Sequence, residues 1–252
     1  MPVIVVAANE IAFQMVGTGD QCLLFIHGIG EDFNIWRALA EHFSSSFKCF
    51  QFSWKGFGDS KMNITTSFSP DILAKELKAI IDELNIKADT DLYIIANNAG
   101  ALAAIKADMD DLVHSKGIIA INIADKFKLK MKYKQLFKAL MDNNKMKMVE
   151  KMNLKDAFEK KQALIDTWLR ETAAVDLATK SPYIETPIDF IIGKSNDYVT
   201  MKDVEASVDR IPSSRVIQLD ACDWPMLENP DALITEIEDF IGKYIPSLDK
   251  KT

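Results

Sequence analysis

Three histidines and three cysteines supply all the imidazole and thiol groups of this 252-residue chain. Cys22, Cys49 and Cys222 lack metal-ligand spacing and lie mostly in apolar stretches, so they read as buried thiols of a reducing compartment. The segment LYIIANNAGALAA, residues 92–104, poses a different problem. An apolar strand runs into a tight turn of small residues and then into helix formers, a geometry that holds a reactive side chain clear of a sheet. The residue at its centre is Asn98. A carboxamide nitrogen is not basic and its oxygen is a feeble nucleophile, so Asn98 can hydrogen-bond but cannot start acyl transfer.

The elements that must position this turn follow from hydrophobic period. VIVVAA and IAFQMV suggest an initial hairpin, and CLLFIHG a buried strand. Helical IWRALAEHF precedes a strand at FKCFQFSW and the glycine turn KGFGDS. In SPDILAKELKAIIDELNI, Ile72, Leu73, Leu77, Ile80, Ile81 and Leu84 share one face of an amphipathic helix. Ser69 or Asp71 is placed to cap it, with Pro70 in the first turn. The strand LYIIAN, the turn with its helix, and the strand GIIAINIA come next. After a long insertion the alternation resumes with PIDFIIG, a helix from about Lys202, RVIQLD and the helix DALITEIEDFIGKYI. Continuously apolar strands between helices indicate a mainly parallel sheet covered on both faces, an α/β architecture.

Composition limits the function classes. Apolar residues make up 48% and charged residues 27%, ordinary values for a folded domain. The net charge of −7 argues against a general nucleic-acid binder. The start MPVIVVAANE lacks the basic and long apolar regions of a secretion signal, and no apolar run reaches membrane-spanning length, so a cytoplasmic protein without membrane association is expected. The insertion differs in kind. Between Lys126 and Lys161 there are 12 lysines and four acids, a local +8, which leaves −15 on the rest of the chain. This Met-rich segment opens with KFKLKMKYK, whose alternation fits either a strand or a helix with a solvated lysine face. Its basic side suits an anionic ligand or an acidic protein partner, and its methionines suit an irregular apolar pocket.

Five motifs in order carry a family resemblance. FIHGIG resembles the His-Gly oxyanion turn of the α/β-hydrolases, and SWKGFGDS resembles their Gly-x-Gly-x-Ser loop. IANNAGA stands where that family has its Gly-x-Ser-x-Gly elbow, and IIGKSNDYV at its acid-bearing turn after the seventh strand. ACDWPMLENP is similar to its Gly-His-x-x-x-x-Glu-x-Pro stretch after the eighth. The resemblance implies a core of residues 1–124 and 182–252, with residues 125–181 as a helical cap inserted after the sixth strand. Carried over residue by residue, it makes Ile29 and Ala99 the oxyanion-hole amides and Asp197 the acid. His27, Gly28 and Gly30 shape the oxyanion turn. Asn98 takes the nucleophile position and Asp223 the histidine position. Cys222, at a family glycine with no evident base beside it, reads as packing.

A serine triad works because an imidazole takes the hydroxyl proton while a carboxylate fixes its tautomer. With Asn98 and Asp223 in place of Ser and His, that route is not expected. The fold would bring Asp223 near Asp197, and two adjacent carboxyls raise the pKa of one of them. The leading expectation is a capped pocket that binds a small anionic or carbonyl-containing molecule without serine-type hydrolysis, with no cofactor and no metal. The alternatives are a non-hydrolytic isomerase, lyase or cyclase using Asp223 as general acid or base, and an interaction protein acting through its basic cap.

Overall fold

The computed structural model describes residues 1–65, 67–128, 160–172, 174–196 and 199–244. Its strands are β1 (Val3–Val6), β2 (Asn9–Val16), β3 (Cys22–Ile26), β4 (Lys48–Phe52), β5 (Leu92–Asn97), β6 (Gly117–Ile121), β7 (Lys126–Lys128), β8 (Ala174–Asp176), β9 (Ile188–Gly193) and β10 (Ser214–Leu219). Eight of them form one sheet in the order β1-β2-β4-β3-β5-β6-β9-β10, while β7 and β8 pair separately. β2 runs antiparallel to both β1 and β4, and every other pairing in the large sheet is parallel. Parallel neighbours need crossovers, and helices supply them. These are α1 (Arg37–Phe43), α2 (Pro70–Glu83), α3 (Asn98–Met109), α4 (Gln162–Thr172), α5 (Met201–Val208), α6 (Pro225–Glu228) and α7 (Pro230–Tyr244).

The apolar runs explain the layering. Every residue of β3, β5, β6 and β9 is buried, because helices cover both faces of the central strands. Leu73, Leu77, Ile80 and Ile81 of α2 are buried as its periodicity predicts, and Ile72 is half-buried. Ser69 occupies the N-cap of α2, but its hydroxyl makes no capping bond, which corrects one expectation. The neighbouring Ser67 hydroxyl instead accepts from the Ser69 amide at 2.9 Å. The thiols also split: Cys22 and Cys49 are buried, whereas Cys222 is only half-buried.

Between β6 and β9 the chain leaves the sheet. Of KFKLKMKYK, only Lys126–Lys128 is described, as the strand β7 antiparallel to β8. Residues 129–159 of the expected cap lie outside the described residues. The root of this excursion is fixed by Asp125, which is fully buried. Its carboxylate accepts from Ser181 Oγ at 2.6 Å, Ser207 Oγ at 2.9 Å and Arg210 Nε at 2.9 Å, with Arg210 Nη2 closing a bidentate pair. Burial pushes the Asp125 pKa up, but the guanidinium and the hydroxyls more than offset it and hold the group below the usual carboxylate value.

Candidate active site

The elbow forms where β5 stops and α3 starts. Asn97 is extended, and Asn98 takes φ +50°, a left-handed conformation that asparagine tolerates better than most residues. The turn needs small neighbours. A Cβ on Gly100 would come 2.4 Å from the His27 carbonyl oxygen, so the elbow and the oxyanion turn touch backbone to backbone. A Cβ on Gly28 would meet Asn98 Cβ at 2.9 Å. Gly30 completes the turn at φ +79°.

Asn98 is 1% exposed. Its Oδ1 accepts from the Ala99 amide at 2.7 Å, and its Nδ2 has no hydrogen-bond partner among the described residues. Of the two expected oxyanion donors, Ala99 is therefore already occupied by the side chain of the elbow residue itself. Ile29, also buried, donates its amide to no group among the described residues.

His27 is held as a structural residue. Its ring is fully buried, Nδ1–H donates to the Gly28 carbonyl at 2.7 Å, and Nε2 accepts from the Trp54 amide at 2.9 Å. A carbonyl can only accept and an amide can only donate, so these partners fix the neutral Nδ1–H tautomer. Burial lowers its pKa to about 3. The Trp54 indole donates in turn to the His27 carbonyl at 3.2 Å. No lone pair is left on this ring to take a proton from a substrate.

Asp223 is fully buried in the loop between β10 and α6. Asn122 clamps that loop: its Nδ2 donates to the carbonyls of Cys222 and Asp223 at 3.2 and 3.1 Å, and its Oδ1 accepts from Gly193 N at 2.9 Å. Glu228 holds the other side, accepting from the amides of Cys222 at 2.6 Å and Trp224 at 2.9 Å. Asp197, the expected acid, lies outside the described residues. His42 and His114 are exposed and remote, the first against Glu238 at 3.1 Å and the second at the start of β6.

The residue that sequence reasoning missed is Glu31. It is 2% exposed, one position beyond Gly30. Its carboxyl accepts from Gly28 N at 2.6 Å, Asn97 Nδ2 at 2.8 Å and Trp224 Nε1 at 2.8 Å. One side chain thus ties the oxyanion turn, the elbow strand and the loop carrying Asp223. Burial raises its pKa to about 7 against the lowering effect of the three donors, and the charge of Asp223 adds to the rise. The acid directly after the glycine turn, beside Asp32, was the available signal.

Two further features close the site from the side of α4. Trp168 is fully buried and packs edge-on against His27, with centroids 6.3 Å apart, inside an aromatic cluster with Trp54, Phe57 and Phe68. Glu171 accepts from Ser67 Oγ at 2.8 Å and from the Phe68 amide. Beneath them Lys55 is fully buried, bonded to Glu76 at 2.5 Å and to the Ser67 carbonyl at 2.8 Å. A cavity of about 410 Å³ between α4 and the loop before α2 is lined by Met62, Phe68, Lys161 and Leu164. A larger one of about 580 Å³, lined by Asp108, His114 and Tyr183, lies by the starts of β6 and β9, at the opposite end of the strands from the elbow.

Comparison with known proteins agrees with this geometry. A family model described as "alpha/beta hydrolase fold" matches residues 21–101, which hold the oxyanion turn, the glycine loop and the elbow. The chain has the α/β-hydrolase fold. Among solved structures, it superposes on a bacterial membrane phospholipase A with a TM-score of 0.82 and 18% identity, covering 98% of this chain and 86% of that one. The enol-lactonase of Burkholderia xenovorans LB400 gives 0.74 and 17%, covering 96% and 100%. An esterase of Thermogutta terrifontis gives 0.71 and 18%, covering 96% and 98%. No curated protein sequence matches the chain. Within the α/β-hydrolase fold, β9 and β10 are the seventh and eighth strands of the motif order, because β7 and β8 belong to the insertion.

Proposed function

We propose that this α/β-hydrolase-fold protein binds a small carbonyl-containing or anionic molecule without hydrolysing it by serine chemistry. The observation that carries the reading is the 2.7 Å bond from the Ala99 amide to Asn98 Oδ1. An oxyanion hole works when its donors wait unoccupied for developing charge. Here the elbow side chain both lacks a nucleophilic atom and takes up one of those donors. Asn98 Nδ2, buried and without a partner among the described residues, is the donor left for a ligand oxygen. The solved structures of similar fold include a phospholipase, a lactonase and an esterase. That supports an ester-like or acid-like ligand class for this site.

Purified protein is expected to turn over p-nitrophenyl acetate and butyrate no faster than buffer with a non-catalytic control protein, and Asn98→Ala is expected to behave identically. Turnover well above that control and abolished by Asn98→Ala would refute the reading.

A second reading is favoured by Glu31. A buried carboxyl with a pKa raised to about 7 beside Asp223 is suited to hold a proton that a general acid could deliver. Under that reading the site performs a non-hydrolytic proton transfer, with Asp223 in contact with the substrate. The third expectation, an acidic protein partner at the basic segment, rests on residues outside those described.

A further inference from the structure

α4 meets the glycine turn after β4 at close quarters. Gly56 has φ +78°, and a Cβ there would come 2.6 Å from Leu164 Cδ2. Ala163, Leu164 and Thr167 are spaced to share one flank of the helix. Together with Met62 and Phe68 of the loop before α2, that flank lines the cavity of about 410 Å³. Its volume is that of a small-molecule site, and these five residues offer it mainly methyl, methylene and aromatic carbon.

Lys161 lines the same cavity and is half-buried. Its ammonium lies 5.7 Å from the centre of the Phe57 ring, and Phe57 packs edge-on to Phe68 with centroids 6.0 Å apart. An ammonium has three N–H donors. Among the described residues Lys161 uses one of them, on the Gly58 carbonyl at 3.4 Å, and no carboxylate lies within ion-pair distance. Asp32 and Asp59 act on its charge from further away, against the burial that lowers the lysine pKa. Asp32 is taken by the amide and side chain of Asn34, and Asp59 is exposed, where water and salt screen it. A half-buried cation with donors to spare beside an apolar chamber matches an anionic head on an apolar tail.

We propose that this cavity binds an aliphatic monocarboxylate, with the carboxylate on Lys161 and the chain between α4 and the loop before α2. The site is distinct from the elbow. A lysine rather than an oxyanion hole sets its polarity, and it stands whether or not Asn98 binds a ligand.

Sodium octanoate, decanoate and dodecanoate are the probes, titrated into the purified chain near neutral pH and read by isothermal calorimetry. Affinity is expected to rise roughly fourfold for each added methylene. Decanol, which has the tail without the charge, is expected to bind about ten times more weakly than decanoate. Lys161→Met keeps an apolar stem and removes the ammonium, so decanoate affinity falls about tenfold while decanol is unaffected. Ala163→Trp fills the chamber and abolishes binding of both. Asn98→Ala leaves decanoate affinity unchanged, which separates this site from the elbow. Decanol as tight as decanoate, undiminished decanoate binding in Lys161→Met or Ala163→Trp, or loss of binding in Asn98→Ala would each overturn the site. So would the absence of binding heat at about 1 mM decanoate. Should one α4 variant fail to fold, the other and the comparison of decanoate with decanol decide it.

Discussion

At the scale of single residues, buried polar groups without a charge to spare set the character of the site. His27 is the clearest case, because both ring nitrogens are committed to backbone partners and the ring is fully buried. Protonation would force a donor against the Trp54 amide. Its pKa in the fold is lowered to about 3, from an ordinary 6.5. The folded state therefore favours the neutral ring. The stability this contributes is complete above pH 6.5 and is lost as pH falls toward 3. The size is on the order of 4–5 kcal/mol for a fully buried group. His27→Gln, which keeps hydrogen-bonding groups without the titration, is expected to lower stability at pH 7 while flattening the loss between pH 6 and 4, as read by urea unfolding at a series of pH values. An unchanged acid limb in the variant would place the titration elsewhere. Asn98 is a second case. Its left-handed backbone and its bond to the next amide make the elbow self-contained, with one donor, Nδ2, unpaired among the described residues.

At the scale of elements, α4 is docked by two kinds of contact. Trp168 inserts into the aromatic cluster over His27, and Glu171 binds the Ser67 hydroxyl and the Phe68 amide. That loop is held from below by Lys55, whose ammonium also lies 4.8 Å from the centre of the Phe68 ring. Burial lowers the Lys55 pKa, with Glu76 opposing the shift as counter-ion. A buried ion pair is costly to break from one side and cheap to replace as a unit. Lys55→Ala is thus expected to lose roughly 3–5 kcal/mol, because the Glu76 carboxylate stays buried without its lysine. Lys55→Met with Glu76→Leu is expected to recover most of that loss. Urea midpoints of the three proteins decide it. A double variant no better than the single one would mean that the pair's hydrogen bonds, above all the one to the Ser67 carbonyl, matter more than its charge.

At the scale of the whole molecule, the question is how a long excursion from the sheet returns to it. Asp125 answers it, joining the exit after β6 to Ser181, before β9, and to Ser207 and Arg210 at the end of α5. Removing Arg210 leaves the buried carboxylate with the Ser181 and Ser207 hydroxyls as its partners among the described residues. Arg210→Met is expected to cost about 3–5 kcal/mol. Asp125→Asn, which keeps the shape and removes the charge, is expected to cost less. The comparison is read by thermal unfolding at low and high salt. Since Asp125 is fully buried and Arg210 is only partly exposed, salt is expected to change the difference little. A difference that vanishes in high salt would indicate a solvated pair.

Much of this was legible before any coordinates. The continuously apolar runs at Cys22–Ile26, Leu92–Asn97 and Gly117–Ile121 required strands covered on both faces, and the helical periods between them required parallel crossovers. The five ordered motifs pointed to the fold that the structure shows. Periodicity and spacing are local properties, so they survive in one dimension. The partner of a side chain is not a local property. Nothing in the sequence joins Glu31 to Trp224, because strand order and the clamps at Asn122 and Glu228 bring the two loops together. Nor does the spacing say that Asn98 would spend its oxygen on the Ala99 amide, which depends on a φ of +50° that the turn imposes. The sequence determined the frame and put an asparagine at the turn after β5. The tertiary structure alone decided which buried polar atoms meet, since contacts between distant segments arise only when the sheet brings its strand ends to one edge.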